Sequence, residues 1–208
     1  MSLSSTVFVV DDDEDIRITL ARFFAHNNYE VKTFESGDAF LDQVTDACYG
    51  CLLLDIAMPG LSGLEVQNEL IERNNKIPII FMTGHADVPT SVLAIKKGAF
   101  EFLEKPFDLA ELLTKVAQVF EMELLRQVNT TVVERLKQKL ETLTKRELDV
   151  MQELVSGVAD MSNKDVASKI GISHRTVEEY RSRIMHKMEA SSITHLVEMA
   201  KICGIYRK

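Results

Sequence analysis

Five polar residues that stand within two positions of the ends of short apolar runs could together handle a phosphoryl group. Asp11 and Asp12 follow the first run, Asp55 the third, Thr83 the fourth and Lys105 the fifth. Carboxylates held close together repel one another and attract a hard cation such as Mg²⁺, which prefers oxygen ligands and often takes a phosphate as well. A lysine in the same place would pair with the bound anion, and one carboxylate would accept the phosphoryl group. This chemistry requires a fold that brings the five residues together.

The apolar runs alternate with amphipathic segments, which is typical of an α/β fold with a parallel sheet covered on both faces. Strands are predicted at residues 7–10, 29–34, 51–54, 77–82 and 99–103, and helices at 15–27, 37–47, 63–73, 87–97 and 108–120. In an open sheet of this kind, ligands lie beyond the carboxyl ends of the strands, where the strand order reverses. The flavodoxin-like order 2-1-3-4-5 makes the first and third strands neighbours, so Asp11, Asp12 and Asp55 are predicted to meet.

Helix capping is the main alternative explanation for the acidic run at residues 11–15. Acids at a helix N-cap and in its first turn are favoured by the helix dipole. We prefer this explanation for Asp13 and Asp15, and the metal-binding one for Asp11 and Asp12, because polar residues end four different strands. The corresponding alternatives for Thr83 and Lys105 are a helix cap and a solvated loop lysine.

The N-terminal half resembles the receiver domain of two-component response regulators, most closely those of the FixJ subfamily. The matching segments are residues 9–13, 55–63, 83–89 and 96–107, in the order and spacing of the family. The resemblance implies a flavodoxin-like, doubly wound, five-stranded receiver domain over residues 1–121. It also implies that the protein is not an enzyme, apart from accepting and losing its own aspartyl phosphate.

The same resemblance implies a role for each polar residue at the strand ends. Asp55 is expected to be the phosphoacceptor. The ligands expected for Mg²⁺, or Mn²⁺ in its place, are Asp11, Asp12, Asp55 and the backbone carbonyl of Ala57. Three further residues are expected to respond to the phosphoryl group: Lys105 by ion pairing, Thr83 by hydrogen bonding and Phe102 as an aromatic switch. The Lys105–Pro106 bond matches a cis peptide of the family.

Charge divides the chain into an acidic first half and a nearly neutral remainder. Residues 1–121 hold 9 Lys and Arg against 20 Asp and Glu, whereas residues 141–208 hold 11 against 10. This asymmetry suggests two domains with different partners. Between them, residues 122–140 contain no Gly or Pro, and Leu125, Val128, Val132 and Leu136 recur at the helical period. We predict a helical linker over residues 122–141 that extends the first domain.

The remainder, residues 142–208, is predicted to be a small all-α domain. Thr144 with Glu147, and Ser162 with Asp165, are capping boxes that start two helices. A short turn at residues 171–173 then leads into a helix that runs to Met188. Two helices joined by a short turn containing Gly fit a helix-turn-helix, whose second helix reads DNA. Basic side chains gather on one face of that helix, as DNA binding requires.

Five short segments of this domain, residues 143–147, 163–167, 172–173, 176–177 and 184–188, match a known pattern. Through them the domain resembles the LuxR-type helix-turn-helix domain of the FixJ/NarL family over residues 142–203. Phosphate contacts are expected from Lys164, Arg175, Thr176, Arg181 and Arg183. The resemblance places Glu178, Glu179 and Ser182 at base-facing positions, where a glutamate can accept from cytosine N4. A solvated helix face is the alternative for each of these charged residues. Residues 158–160 are an insertion relative to the family and are expected to lengthen the first loop.

The CxxC pair formed by Cys48 and Cys51 could suggest a zinc or redox site. No second cysteine pair or nearby histidine completes a zinc site, and the pair does not begin a helix as a redox pair would. We interpret both residues as small buried hydrophobes.

Taken together, these features predict a cytoplasmic transcription regulator that a sensor histidine kinase phosphorylates on Asp55. Phosphorylation is expected to make it a homodimer that binds double-stranded promoter DNA, with RNA polymerase as a further candidate partner. No apolar run approaches the roughly 20 residues that cross a membrane, so no membrane contact is expected.

Three other functions stay open at this point. One is a phosphorylation-independent DNA-binding regulator whose receiver is only a scaffold. Another is a Mg²⁺-dependent aspartyl-phosphate phosphohydrolase, disfavoured because Ala57 stands where such enzymes carry their second carboxylate. The third is a LuxR-type sensor of a small molecule, disfavoured by the acidic strand ends.

Overall fold

The computed structural model describes residues 5–44, 50–84, 88–156 and 162–205, with the backbone alone for residues 88–90. The chain divides into two compact units, Met1–Leu124 and Leu125–Lys208. Cys48 and the insertion at residues 158–160 lie outside the described residues. The proposed domain limits at 1–121, 122–141 and 142–208 stay a prediction.

The first unit is built on a parallel five-stranded sheet with the order β2-β1-β3-β4-β5, which confirms the predicted topology. Its strands are β1 (Thr6–Val10), β2 (Glu30–Phe34), β3 (Cys51–Asp55), β4 (Ile79–Thr83) and β5 (Glu101–Glu104). The helices that alternate with them are α1 (Glu14–His26), α2 (Gly37–Gln43), α3 (Gly63–Glu72), α4 (Val88–Lys96) and α5 (Leu109–Glu141). Strand β4 begins two residues later than predicted because Pro78 has no N–H to donate.

Two apolar cores lie on opposite faces of this sheet. Side chains alternate between the faces of a strand, so the continuous apolar runs of the three central strands supply both cores. One face carries Phe8, Val10, Leu52, Leu54 and Phe81. The other carries Val7, Val9, Leu53, Ile80 and Met82. Burial of both faces explains why these strands lack polar alternation and why polar residues occur only at their ends.

Helix α1 shows which acids of the run at residues 11–15 serve the helix. Asp13 is its N-cap and accepts hydrogen bonds from the backbone N–H groups of Asp15 and Ile16. Asp15 lies in the first turn, where a negative charge favours the dipole. The helix-capping explanation is therefore confirmed for these two residues, and Asp11 and Asp12 need another one.

Helix α5 is the longest of the described helices. Its 33 residues include the whole predicted linker, as the absence of Gly and Pro there indicated. Leu136 near its end is buried in the core of the second unit. None of the described helices is both long enough and apolar enough to span a bilayer.

The second unit continues with α6 (Lys145–Ser156), α7 (Asn163–Ile170), α8 (His174–Met188) and α9 (Ile193–Ile202). Both predicted capping boxes form, Thr144 with Glu147 and Ser162 with Asp165. The turn from α7 to α8 passes through Gly171 at φ +73°, a left-handed conformation that suits glycine. Helices α7 and α8 thus form the predicted helix-turn-helix, and the apolar face of α8 is buried through Val177, Ile184 and Met188.

Candidate metal centre and nucleic-acid interface

The carboxylates of Asp11, Asp12 and Asp55 converge at the carboxyl ends of β1 and β3. One oxygen of each lies within 4.8 Å of the others. The register that pairs Val10 with Leu54 brings the ends of the two strands level. Asp11 is completely buried and Asp55 is 5% exposed, whereas Asp12 is exposed. The structure therefore brings together the three acids that the sequence predicted would meet.

Lys105 places an ammonium group between two of these acids. Its Nζ lies 2.6 Å from Oδ2 of Asp11 and 3.4 Å from Oδ1 of Asp55. The Lys105 N–H donates to the carbonyl of Thr83 at 2.7 Å, which ties the start of the loop after β5 to the end of β4. The Lys105–Pro106 peptide is cis. Lys105 is consequently a partner of the acidic cluster and not a solvated loop lysine.

Burial raises the pKa of Asp55, because water is largely excluded from its charged form, and the negative charge of Asp11 raises it further. The Lys105 ammonium acts in the opposite direction, as does the Ile56 N–H, which donates to Asp55 Oδ1 at 2.9 Å. The folded protein therefore holds a carboxylate that is less stable, and so more basic, than an ordinary aspartate.

We expect Asp55→Asn to raise the melting temperature of the metal-free protein at pH 7. Because the folded pKa of Asp55 lies above its ordinary value of 3.8, ionisation of this group disfavours the folded state, and the effect disappears below that pH. Thermal unfolding of wild type and variant in a chelator, at pH 7 and below pH 3.8, measures the difference. An equal or lower melting temperature for the variant at pH 7 would contradict the expectation.

The donors of the cluster fit a divalent cation. Three carboxylates face one ammonium group, which leaves an excess of negative charge on oxygen ligands of the kind that Mg²⁺ and Mn²⁺ prefer. Ala57 lies in the loop that follows β3. Among the described residues, none donates a hydrogen bond to its backbone carbonyl, whereas the carbonyl of the preceding Ile56 accepts from Gly63 at 3.0 Å. The carbonyl of Ala57 is thus available as a ligand.

Thr83 and Phe102 lie on the two strands beyond the cluster. Thr83 is the last residue of β4 and is buried, and its neighbour Met82 pairs in register with Asp55. Phe102 pairs with Phe81 across β4 and β5. Its half-buried ring packs against the apolar core that contains Phe81. Thr83 therefore lies on the strand next to Asp55, and Phe102 lies one strand further out.

Helix α8 and the start of α7 carry the predicted DNA contacts. The exposed members of the set are Lys164, Arg175, Glu178, Glu179, Ser182 and Arg183, and the half-buried ones are Thr176 and Arg181. Arg181 Nη1 donates to Oδ1 of Asn163 at 3.1 Å and so ties α8 to α7. Each glutamate lies one turn after a nitrogen-bearing side chain, Glu178 at 3.7 Å from His174 and Glu179 at 3.5 Å from Arg175. The guanidinium of Arg175 offsets the charge of Glu179.

One basic residue of α8 has a structural role that the sequence did not reveal. Lys187 shares the helix with the predicted phosphate contacts, but its Nζ donates to Glu147 Oε2 at 2.7 Å and to the Thr142 carbonyl at 3.0 Å. Glu147 is only 3% exposed. The capping box marked Glu147, but nothing local to either residue indicates that they pair.

Comparison with known protein families assigns each of the two sites to a known domain. The family model described as "Response regulator receiver domain" matches residues 7–117, more than half of the chain. The model described as "Bacterial regulatory proteins, luxR family" matches residues 141–200. This chain is a two-component response regulator. It combines a receiver domain with a LuxR-type DNA-binding domain, as FixJ-like transcriptional regulators do.

Individual relatives resemble this response regulator over nearly its whole length. Nodulation protein W of Bradyrhizobium diazoefficiens is 41% identical over 204 residues, which cover 98% of this chain and 88% of the relative. The transcriptional regulatory protein FixJ of Azorhizobium caulinodans is 40% identical, with 99% and 96% covered. The solved structure of the response regulator StyR is 38% identical, has a TM-score of 0.80, and is matched over 96% of this chain and 99% of that one.

Membership in this family confirms the predicted fold and the predicted class of function. A receiver domain implies a sensor kinase as the partner of the regulator, and a LuxR-type domain implies DNA binding.

Proposed function

We propose that this regulator accepts a phosphoryl group on Asp55 from a sensor histidine kinase in the cytoplasm, then dimerises and binds promoter DNA. The observation that carries the proposal is the convergence of Asp11, Asp12 and Asp55 with the ammonium group of Lys105 between them. Of the described residues, this set alone forms an acidic group that could hold a metal ion. The protein performs no other catalysis in this proposal.

The carboxylate of Asp55 is the nucleophile of the proposed transfer. Asp11, Asp12 and Asp55, with the carbonyl of Ala57, would hold Mg²⁺ or Mn²⁺, which neutralises charge on the phosphoryl oxygens when bound. An oxygen of Asp55 attacks phosphorus while the bond from phosphorus to the donor nitrogen breaks, and the leaving nitrogen keeps that electron pair. Its position 3.4 Å from Asp55 lets Lys105 pair with a phosphoryl oxygen. Thr83 donates its hydroxyl hydrogen to another oxygen.

Movement of Thr83 and Phe102 toward the new anion would change the face formed by α4 and β5. Helix α4 exposes three apolar side chains, Val92, Leu93 and Ile95, and an apolar surface of this kind supports association of two copies. We propose that phosphorylation makes this face the dimer interface. A dimer suits a helix-turn-helix, because two half-sites about one helical turn apart are then read together.

The second unit contacts DNA through α8 in this proposal. Lys164, Arg175, Thr176, Arg181 and Arg183 bind phosphates and position the domain, and Glu178, Glu179 and Ser182 face the bases. The exposure of most of these side chains and the bond from Arg181 to Asn163 support this assignment. The acidic first half could also contact RNA polymerase as a further partner.

Incubation with acetyl phosphate and Mg²⁺ tests the proposal. Wild type is expected to gain the mass of one phosphoryl group, to shift from monomer to dimer and to bind promoter DNA more tightly. Asp55→Asn is expected to do none of these, because an amide cannot accept the group. Intact-mass spectrometry, native mass measurement and electrophoretic mobility shift follow the three changes. Asp42→Asn, a matched change in an exposed residue at the end of α2, should behave as wild type.

Two results would contradict the proposal. Labelling of Asp55→Asn to the wild-type extent would place the phosphoryl group elsewhere. Equal DNA binding by wild type and Asp55→Asn under phosphorylating conditions would instead favour a regulator whose receiver is only a scaffold.

A further inference from the structure

Arg17 holds the backbone of the acidic cluster from the side of α1. Its Nη1 donates to the carbonyl oxygen of Asp11 at 2.8 Å, and the side chain is half-buried. Arg17 lies in the first turn of α1, six residues after Asp11 along the chain. A hydrogen bond from a charged guanidinium is shorter and stronger than one between neutral groups. This contact involves no carboxylate, and the sequence motif of acidic residues did not predict it.

The carbonyl that Arg17 binds belongs to the peptide group joining Asp11 to Asp12. A peptide group is planar, so a hydrogen bond to its oxygen restrains the orientation of the plane that ends at Cα of Asp12. The Asp11 carboxylate is held independently, by the Asp13 N–H at 3.0 Å and by Lys105 at 2.6 Å.

Asp12 has no comparable support for its side chain. Among the described residues, none donates a hydrogen bond to its exposed carboxylate. The place of that carboxylate in the cluster therefore depends on the backbone that carries it. Arg17 fixes this backbone at the peptide group immediately before Asp12.

We propose that Arg17 is a positioning residue for the divalent cation, which it favours by orienting the peptide group between Asp11 and Asp12. The inference rests on the proposed function, since it concerns the same metal centre. Removal of groups that hold metal ligands in place typically lowers metal affinity by about 10–100-fold. Arg17 is thus expected to govern how tightly the ion binds, and not the rate of transfer once the ion is bound.

The positive charge of Arg17 makes it possible to distinguish an effect of charge on metal affinity from an effect of peptide orientation. A cation near the cluster repels a second cation, so if charge were its main effect, removing Arg17 would strengthen binding of the metal. If orientation of the peptide is its main effect, removing Arg17 weakens binding. The two explanations predict opposite changes.

The test measures Mn²⁺ binding to the full chain by electron paramagnetic resonance of the free ion, without any phosphoryl donor. Arg17→Gln is expected to raise the Kd for Mn²⁺ by about tenfold. Arg22→Gln is the matched control, because Arg22 lies on the same helix, is exposed and undergoes the same loss of charge. It should leave the Kd unchanged. If Arg17→Gln fails to fold, Arg17→Lys takes its place with the same expected direction, because the lysine side chain is one bond shorter than the arginine side chain, whose Nη1 makes the contact.

Labelling by acetyl phosphate at increasing Mg²⁺ gives a second readout. Arg17→Gln is expected to need about tenfold more Mg²⁺ for half-maximal labelling and to reach the wild-type rate at saturation. Binding of Mn²⁺ at wild-type strength or tighter would overturn the inference. If wild type binds Mn²⁺ but Asp55 is never labelled, the proposed function fails, while the binding comparison still decides the role of Arg17.

Discussion

Replacement of Gly63 by alanine is expected to abolish labelling of Asp55 by acetyl phosphate and to destabilise the first unit. A Cβ on this residue would lie 2.3 Å from the carbonyl oxygen of Asp55 and 3.1 Å from both the Asp55 carbonyl carbon and Cα of Ile56. All three atoms belong to the backbone, so no side chain can turn away to make room. Either α3 must shift or the strand end that carries the phosphoacceptor must move.

Helix α3 is attached to the end of β3, which limits how far the helix can shift away from Asp55. The Gly63 N–H donates to the Ile56 carbonyl at 3.0 Å, and the capping box of Ser62 and Glu65 fixes the same turn. We therefore expect the displacement to reach Asp55 itself. The cost should be about 3 kcal/mol in the free energy of unfolding, at the upper end of the usual range for overpacking.

Urea unfolding and intact-mass labelling measure the two effects of Gly63→Ala. Gly84→Ala is the control for stability, because a Cβ there meets no described atom within 4 Å. Its free energy of unfolding should match that of wild type. The expectation fails if Gly63→Ala keeps both the wild-type urea midpoint and wild-type labelling.

Substitution of Lys187 by methionine is expected to destabilise the second unit by about 3 kcal/mol. Without its ammonium group, the carboxylate of Glu147 is left 3% exposed and without its charged partner. Removing one member of a buried ion pair is costly because the other charge remains buried. The Thr142 carbonyl at the end of α5 also loses its contact with α8.

The pH dependence of stability gives this prediction a second test. Hydrogen bonding to Lys187, and then to the Thr144 N–H, lowers the pKa of Glu147 from 4.5 to about 2. A depressed folded pKa contributes stability above the ordinary value that is lost as pH falls. Wild type should therefore lose this contribution between pH 4.5 and about pH 2. Lys187→Met should lose much less over the same range.

Arg183→Met is the matched control, since it removes the same charge from the same helix. Arg183 is exposed, and it forms no ion pair with any residue that the structure describes. We expect unchanged unfolding, weaker binding to DNA of any sequence, and a salt dependence shallower by about one phosphate contact. Ile184 is buried in the second unit, so the NMR signal of its methyl groups reports the unfolding of that unit separately from the first. The structural role of Lys187 is contradicted if Lys187→Met has the urea midpoint of wild type. The role of Arg183 as a DNA contact without a structural function is contradicted if Arg183→Met has a lower urea midpoint than wild type.

Much of this protein could be predicted from local patterns in the sequence. The buried strands are continuous apolar runs, each ended by the polar residues of the site, and this pattern gives both the order of elements and the edge where Asp11 and Asp55 meet. The capping boxes and the glycine of the α7–α8 turn can be recognised from residues that lie a few positions apart in the sequence. The element limits are determined by the sequence alone because their physical causes, backbone hydrogen bonding and side-chain periodicity, act over a few residues. The meeting of Asp11 and Asp55 follows from the parallel sheet that the alternation of strands and helices predicts.

Other features depended on how distant elements pack. Lys187 and Glu147 are 40 residues apart. In sequence, Lys187 and Arg183 are equivalent basic residues of one helix, and only the packing of α6 against α8 gives one a carboxylate partner and leaves the other to the solvent. The close approach of Gly63 to Asp55, and the bond from Arg17 to the backbone of Asp11, likewise depend on where a helix end comes to rest. The tertiary structure decided these roles, because an ion pair or a steric contact depends on distance in space.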